Sequence, residues 1–306
     1  AWSDVFQAIL MLVIAWILGM YFVQKLHGGI GNMFETINNS NNDFLLIGEE
    51  GSAMSKARYS SNIIISMIGF VMWPHLFTKS YTTTEKRIKT TVAVYPIFAL
   101  FLLPVLFIGF SGYGIVSSDQ IENSGQILPY LITNYLTESG LLYGIVGAGA
   151  LAAAMSSSDA ITHGASVSFG RDICKAIYSK IPENIELWIM RGAVFGVGAI
   201  AYLIAIFGSE GLIQLLLGAY GPIAQLAPAV YASLFFRKVS AVSVIIGLIL
   251  GVCITIYYQY FAESTLYDLH AGLIGLTFNV GAVFFFSYIY RQSDSEIVKA
   301  KEFNEI

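Results

Sequence analysis

Residues Gly147 to Asp172 read GAGALAAAMSSSDAITHGASVSFGRD, and this stretch decides the fold. It is long enough to cross a bilayer and ends in the charged pair Arg171-Asp172. Its middle is unusual for a helix facing lipid: three alanines, Ala152 to Ala154, then Ser156, Ser157, Ser158 and Asp159. Small residues let helix backbones approach closely inside a membrane. Hydroxyls and a carboxylate at that depth are costly, so they face a packed interior or a watery path. At ~100° per residue, Gly149, Ala153, Ala160 and Gly164 share one narrow face, with Ser156 and Ser157 on either side of it. A second backbone can lie against that face beside two hydroxyl oxygens, and hard cations such as Na⁺ take oxygen ligands. The other reading is that the serines bond back to carbonyls one turn earlier. Periodicity leaves both open.

The rest of the composition sets the class. The 306 residues are 56% hydrophobic and only 12% charged, where soluble domains are about a quarter charged. An all-α integral membrane protein is expected. A net charge of −4 gives no support for a nucleic-acid partner. Cys174 and Cys253 lie far apart, without metal spacing, and no disulfide is expected. Ala1 is not a methionine and no basic leader precedes the first apolar run, so the chain is expected to be a fragment or processed form.

Eight spans are expected. They run from about Val5 to Val23, Ile63 to Phe77, Thr91 to Ile115, Leu141 to Phe169, Leu187 to Phe207, Leu212 to Phe235, Val239 to Tyr260 and Leu273 to Tyr290. A polar loop containing Gly28, Gly29, Gly31 and an Asn-rich run follows the first, and Ile127 to Leu136 reads as a short interfacial helix. The fourth span exceeds the hydrocarbon thickness and should tilt or project. Residues 1–290 are expected to form one transmembrane domain and 291–306 a cytoplasmic tail. Placing the loop after the second span inside puts 13 basic residues inside and only Lys25, Lys56 and Arg58 outside, which sets the orientation. Both chain ends are then cytoplasmic, as in a multi-pass cell-membrane protein. The aromatics near span ends read best as interfacial belts.

The second and sixth spans are interrupted. Gly69 and Pro74 break the second; Gly218, Gly221-Pro222 and Pro228 break the sixth. Such interruptions are tolerated where backbone lines a cavity, and they point to a transport site; a simple proline kink is the plainer alternative. Trp73-Pro74-His75 places an indole and an imidazole beside a freed carbonyl, suited to a small solute. Gln214, early in the sixth span, offers an amide to a solute or to a neighbouring helix. Asp4 at the first helix start either caps that helix or briefly holds a departing cation. The four histidines form no metal spacing, and no nucleotide loop or nucleophile elbow is present, so neither an enzyme nor an ATP-driven pump is supported.

With these motifs in place, the chain resembles the sodium/solute symporter family, whose members include proline, pantothenate, monocarboxylate and sodium–glucose carriers. AWSDVFQAILML (Ala1 to Leu12) is similar to the family's Trp-Thr-Asp-x-x-Gln helix start, with Ser3 in place of Thr. Pro74-His75 followed by Lys79 resembles its Pro-His…Arg/Lys segment. LAAAMSSSDA (Leu151 to Ala160) followed by Arg171-Asp172 is the most specific match. The resemblance implies a LeuT-like fold of two inverted five-helix repeats, present in part: core helices five to ten plus two more. The first four core helices would be partners missing from this chain.

The same resemblance implies a sodium half-site: the Ala153 carbonyl and the Ser156 and Ser157 hydroxyls, completed by carbonyls of the missing first helix. It assigns Asp4 to sodium release, Phe70 and Pro74 to the solute cavity, and Gln214 to the position of a sugar-contacting glutamine. The chain lacks the Asn and Tyr that glucose-type members carry around the sixth core helix, which argues against a sugar. The expected activity is Na⁺-coupled import of a small organic solute, a carboxylate or amino acid such as pantothenate, a monocarboxylate or proline, by alternating access. Sodium is the coupling ion, with no organic cofactor; the bilayer and the solute are the other partners. A symporter-like sensor domain and a proton-coupled carrier of the same fold are the competing readings.

Overall fold

A computed structural model describes residues 2–40, 44–48, 54–80, 83–100, 102–117, 119–121, 124–136, 140–178, 180–208, 212–236 and 238–304. Within those helices, the side chains of residues 2–4, 78–80, 97, 98, 100, 142, 156, 212–214 and 300–304 also lie outside the description. Every regular element among the described residues is a helix. Among the described residues, six stretches are long and apolar enough to cross a membrane: Val5–His27, Tyr143–Ile177, Glu183–Phe207, Leu215–Phe235, Ala241–Tyr260 and Ala271–Ile289. The remaining two expected spans, the second and third, are each built from two shorter helices.

The chain opens with α1 (Trp2–His27), ended by Gly28 in the left-handed conformation that glycine adopts cheaply, φ 74°. A helix, α2 (Ile30–Ser40), then occupies the stretch expected to be a polar loop. Met33 and Ile37 are fully buried one turn apart, and that apolar pair outweighs the poor helix propensity of the asparagines around it. The second span divides into α3 (Lys56–Met72) and α4 (Pro74–Ser80). The third divides into α5 (Glu85–Leu100) and α6 (Leu103–Ser111), with Pro104 in the first turn of α6. α7 (Ile127–Tyr135) is the expected short helix.

The opening stretch lies on α8 (Gly140–Val167), which runs directly into a π-helical turn, Ser168–Cys174, and the short α9 (Lys175–Ile177). The fifth span is α10 (Glu183–Phe207), where Arg191 sits 5.1 Å from the Trp188 ring centroid. The sixth divides into α11 (Leu212–Ala224) and α12 (Ala227–Phe235). Its break falls at Gln225-Leu226, between the two prolines; Gly218 and Gly221 stay helical. The last spans are α13 (Ala241–Tyr260) and α14 (Ala271–Ile289), followed by α15 (Asp294–Asn304) in the stretch read as a tail.

Contacts divide the chain into two compact units. The first comprises Ala1–Asn42 and Phe77–Gly211. Its core gathers Ile14, Leu18 and Phe22 of α1 with Ile108 of α6, Leu131 of α7, Leu136 at the C-terminal cap of α7, and Val146 of α8. α1 approaches α6 so closely at Gly19 that a Cβ there would lie 2.6 Å from the Pro104 carbonyl oxygen. The end of α1 also satisfies two helix termini. Lys25 Nζ donates to the Tyr135 carbonyl at 2.8 Å, and His27 Nε2 donates to the Ser111 carbonyl at 2.9 Å.

The second unit comprises Asp43–Leu76 and Leu212–Ile306. Its centre is the α13–α14 pair, against which α11 and α3 pack. Glycines make the seam. A Cβ on Gly272 would lie 2.4 Å from the Gly221 Cα, and one on Gly275 would lie 2.5 Å from the Gly251 carbonyl oxygen. This is the close small-residue packing that substitutes for a hydrophobic driving force in lipid.

Candidate functional site

Each unit carries polar chemistry of its own among the described residues. In the first unit, the small face of α8 is used by α1, though by a side chain rather than the expected backbone. A Cβ on Gly149 would lie 2.5 Å from Ile14 Cδ1, whereas nothing stands within 4 Å of the same position at Gly164. Ala153 is half-buried and Ser157 is exposed, well inside the span. Ser158 Oγ donates back to the Met155 carbonyl at 3.3 Å and Ser166 Oγ to His163 at 2.8 Å. So back-bonding holds for these two hydroxyls on α8. Ser157 presents its hydroxyl at an exposed position, one helical turn from the Ala153 carbonyl. The Ser156 side chain lies outside the described residues, as does that of Asp4 in the first turn of α1. No group of three or more metal-binding His, Cys, Asp or Glu occurs among the described residues. Hydroxyl and carbonyl oxygens, the polar groups that this face of α8 carries, are the donors that hard cations take.

In the second unit, α3 ends at Trp73, whose φ −57° and ψ 122° are extended. The cause is local: the ring of Pro74 disfavours helical geometry at the residue before it. Helix resumes at once, because a proline is well placed in a first turn and the Leu76 amide closes on the Trp73 carbonyl at 2.9 Å. The break brings Trp73 and His75 together edge to face, 5.6 Å between ring centroids. A residue not anticipated from sequence joins them. Tyr220 of α11 stands edge-on to Trp73 at 5.9 Å, and its ring occupies the space above Gly69, where a Cβ would come within 2.7 Å of Tyr220 Cδ1. Phe70 is half-buried one turn before the break, and Pro74 is exposed. The Gln214 side chain lies outside the described residues. Tyr220 sits within Gly218-Ala219-Tyr220-Gly221, and an aromatic framed by glycines in a span was the available sign.

The break in the sixth span has its own chemistry. Gln225 is fully buried at the joint, and its Nε2 donates to the Gly221 carbonyl at 3.1 Å, the Gly272 carbonyl at 3.0 Å and Thr255 Oγ1 at 3.2 Å. Its own backbone amide reaches only to Pro222, at 3.1 Å, so the side chain satisfies the carbonyl that the interrupted ladder leaves over. Asn279 Nδ2 donates to the Gln225 carbonyl at 2.9 Å and to Gln225 Oε1 at 3.2 Å. Beside it, His270 Nδ1 accepts from the Gly272 amide at 2.9 Å and Nε2 donates to the Leu217 carbonyl at 3.2 Å. That pair of bonds requires the neutral Nε2–H tautomer, and burial pushes the imidazole below its ordinary pKa.

At the start of α3, Arg58 pairs with Asp268 at 3.0 Å, and Ser55 also donates to that carboxylate. Ser55, then Arg58, hold the Asp268 carboxyl below the usual range. Tyr267 and Asp268 are both left-handed, φ 52° and 55°, which L residues adopt at a cost, and the bonds to Asp268 hold the turn there.

Uncharacterized symporter YhjB of Bacillus subtilis is 29% identical over 311 residues, covering 96% of this chain and 62% of its own length. Uncharacterized symporter YodF of the same organism is 25% identical over 286 residues, covering 91% and 56%. The chain thus spans about six-tenths of the length of these curated relatives. A solved structure of a Na⁺-coupled sialic acid symporter, substrate-bound and outward-open, matches with a TM-score of 0.65 at 19% identity over 94% of this chain and 62% of that one. That likeness carries the expected fold class, a partial LeuT-like, all-helical membrane architecture. The model of the sodium:solute symporter family matches residues 1–251, and the chain belongs to that family.

Proposed function

We propose that the chain is the larger part of a Na⁺-coupled secondary transporter that imports a small organic solute by alternating access. The observation that carries the reading is the hydroxyl-bearing face of α8 in a chain matched by the symporter family over residues 1–251. The Ala153 carbonyl and the Ser156 and Ser157 hydroxyls are half of a sodium site. The other ligands belong to the part of its relatives' length that this chain does not cover, by the resemblance a broken first core helix. Asp4 receives the ion on its way to the cytoplasm. Phe70, Trp73, Pro74, His75 and Gln214 face the solute at the two broken helices, and Tyr220 joins that set through its contact with Trp73.

The solute bears a carboxylate. An indole and an imidazole at a helix break supply N–H donors that suit an anionic oxygen, and the Asn and Tyr expected for a sugar are not in the neighbouring sequence. The loop after α4 and the C-terminal end lie on the cytoplasmic side, where 13 of the 16 basic residues then fall.

The test is uptake by the full-length protein in proteoliposomes. Ser157→Ala should raise the sodium concentration needed for half-maximal uptake while leaving the solute KM at saturating sodium nearly unchanged. Unaltered sodium dependence would remove the α8 assignment. Uptake that persists when choline replaces sodium would make the carrier proton-coupled, and solute binding without uptake would make it a sensor.

A further inference from the structure

The stretch that carries the α8 hydroxyls does not end as an ordinary helix. From Ser168 to Cys174 it winds as a π-helix, and the Lys175 amide closes on the Gly170 carbonyl, five residues back. Each turn of that segment holds more residues than an α turn, so the residues beyond it are rotated from the phase that α8 would otherwise give them. Two cations use the new phase. Arg171 Nε meets Glu186 Oε1 at 3.0 Å, and Lys175 Nζ meets Glu186 Oε2 at 3.0 Å. Glu186 stands in the first turn of α10, where the helix dipole favours a carboxylate.

The exposure of the three side chains is unequal. Glu186 is 4% exposed, whereas Arg171 is 64% and Lys175 48% exposed. Each carboxylate oxygen holds one cation, so the low exposure of Glu186 sits between two charges that are themselves largely open to solvent. Gly170 lies beside Met190 in the same contact, where a Cβ would come within 2.5 Å of Met190 Cγ. The end of α8 is therefore tied to α10 by charge on one side and close packing on the other. Nothing in the proposed sodium or solute set uses these residues.

We propose that Glu186 is a positioning residue for the α8 cation half-site. The Arg171–Glu186–Lys175 clamp fixes the rotation of α8 about its axis through the π turn, and that rotation sets where Ala153 and Ser157 present their oxygens. The proposal rests on the α8 sodium reading above. Without the Glu186 carboxylate, two cations face each other and the α10 N-terminus with nothing between them. The clamp opens by repulsion, and α8 is free to turn.

The experiment compares sodium-dependent uptake by the full-length protein and its variants Glu186→Gln, Glu186→Asp, Lys175→Ala and Ser157→Ala in proteoliposomes, with reconstituted protein quantified. Glu186→Gln should raise the half-saturating sodium concentration by about threefold or more, the scale of coupling carried through packed side chains, with the maximal rate at saturating sodium largely kept. Glu186→Asp, which keeps the charge, should recover most of the wild-type sodium affinity. Lys175→Ala, which leaves the Arg171 pair, should give a smaller shift and remains informative should Glu186→Gln fail to fold. A loss of stability or maximal rate with no change in half-saturating sodium would make the clamp merely structural and overturn the proposal. If Ser157→Ala also leaves the sodium dependence unchanged, the α8 reading itself fails. A shift with Ser157→Ala and none with either clamp variant fails the positioning role alone.

Discussion

Replacing Gly275 with alanine tests the packing of the second unit most directly. The added Cβ would lie 2.1 Å from Thr255 Oγ1 and 2.5 Å from the Gly251 carbonyl oxygen. The second atom is backbone in the middle of α13, so rotating one side chain cannot relieve the clash. Turning Thr255 away also forfeits its bond to the Gly251 carbonyl, 2.8 Å, and the one it accepts from Gln225, 3.2 Å. Overpacking of this kind costs about 1–3 kcal/mol, and hydrogen bonds inside membranes average about 0.6 kcal/mol each. The expected destabilisation is roughly 2–4 kcal/mol, a fall in melting temperature on the order of 10 °C. The control is Gly281→Ala on the same helix, where nothing stands within 4 Å of the new Cβ. Its only expected effect is the small gain that alanine brings to a helix interior, about 0.5–1 kcal/mol. Both variants of the full-length protein can be melted in detergent, with the surviving monodisperse fraction followed by size-exclusion chromatography. A Gly275→Ala melt indistinguishable from wild type would refute this packing, and so would an equal fall with Gly281→Ala.

Two further outcomes follow from the same unit. Gly69→Ala should push the Tyr220 ring off its seat and with it the edge contact to Trp73, raising the solute KM in uptake while the sodium dependence holds; an unchanged KM would separate Tyr220 from the solute site. Acid should weaken the fold in two windows. His270 has a folded pKa below its unfolded value of about 6.5, so the stability held by its neutral form falls as pH drops beneath that value. Asp268, whose carboxyl is held low by Ser55 and Arg58, keeps its contribution above its unfolded value of about 3.9 and loses it as pH falls through the folded one. Melts from neutral to acid pH should therefore lose their upper slope in His270→Gln and their lower slope in Asp268→Asn. Unaltered slopes in both variants would show that neither group carries the dependence.

The membrane class and the broken second span were legible in the sequence because their causes are local. A run of apolar residues needs no partner to be recognised, and Pro74 acts on Trp73 through one covalent neighbour. The helix over Ile30–Ser40 was legible in principle: Met33 and Ile37 repeat at helical spacing, and the asparagines beside them obscured it. The hydroxyl face of α8 was visible for the same reason, since spacing along one helix is a property of that helix alone.

What escaped depended on residues far apart in the chain. The break of the sixth span was expected at its glycines and prolines, yet it falls at Gln225, because that side chain can take over the Gly221 carbonyl only where Gly272 and Asn279 of α14 come to meet it. A proline makes an interruption affordable somewhere nearby; the buried partners decide at which residue the ladder opens. The π turn after α8 follows the same logic. Nothing between Ser168 and Cys174 demands a wider turn by itself, whereas Arg171 and Lys175 reach Glu186, on a separate helix, from the phase that turn provides. Tyr220, too, acquires a role only through the space that Gly69 leaves for its ring. In each case the sequence marks a place where regular structure is weak, and contacts from elsewhere in the same unit choose the form that the weakness takes.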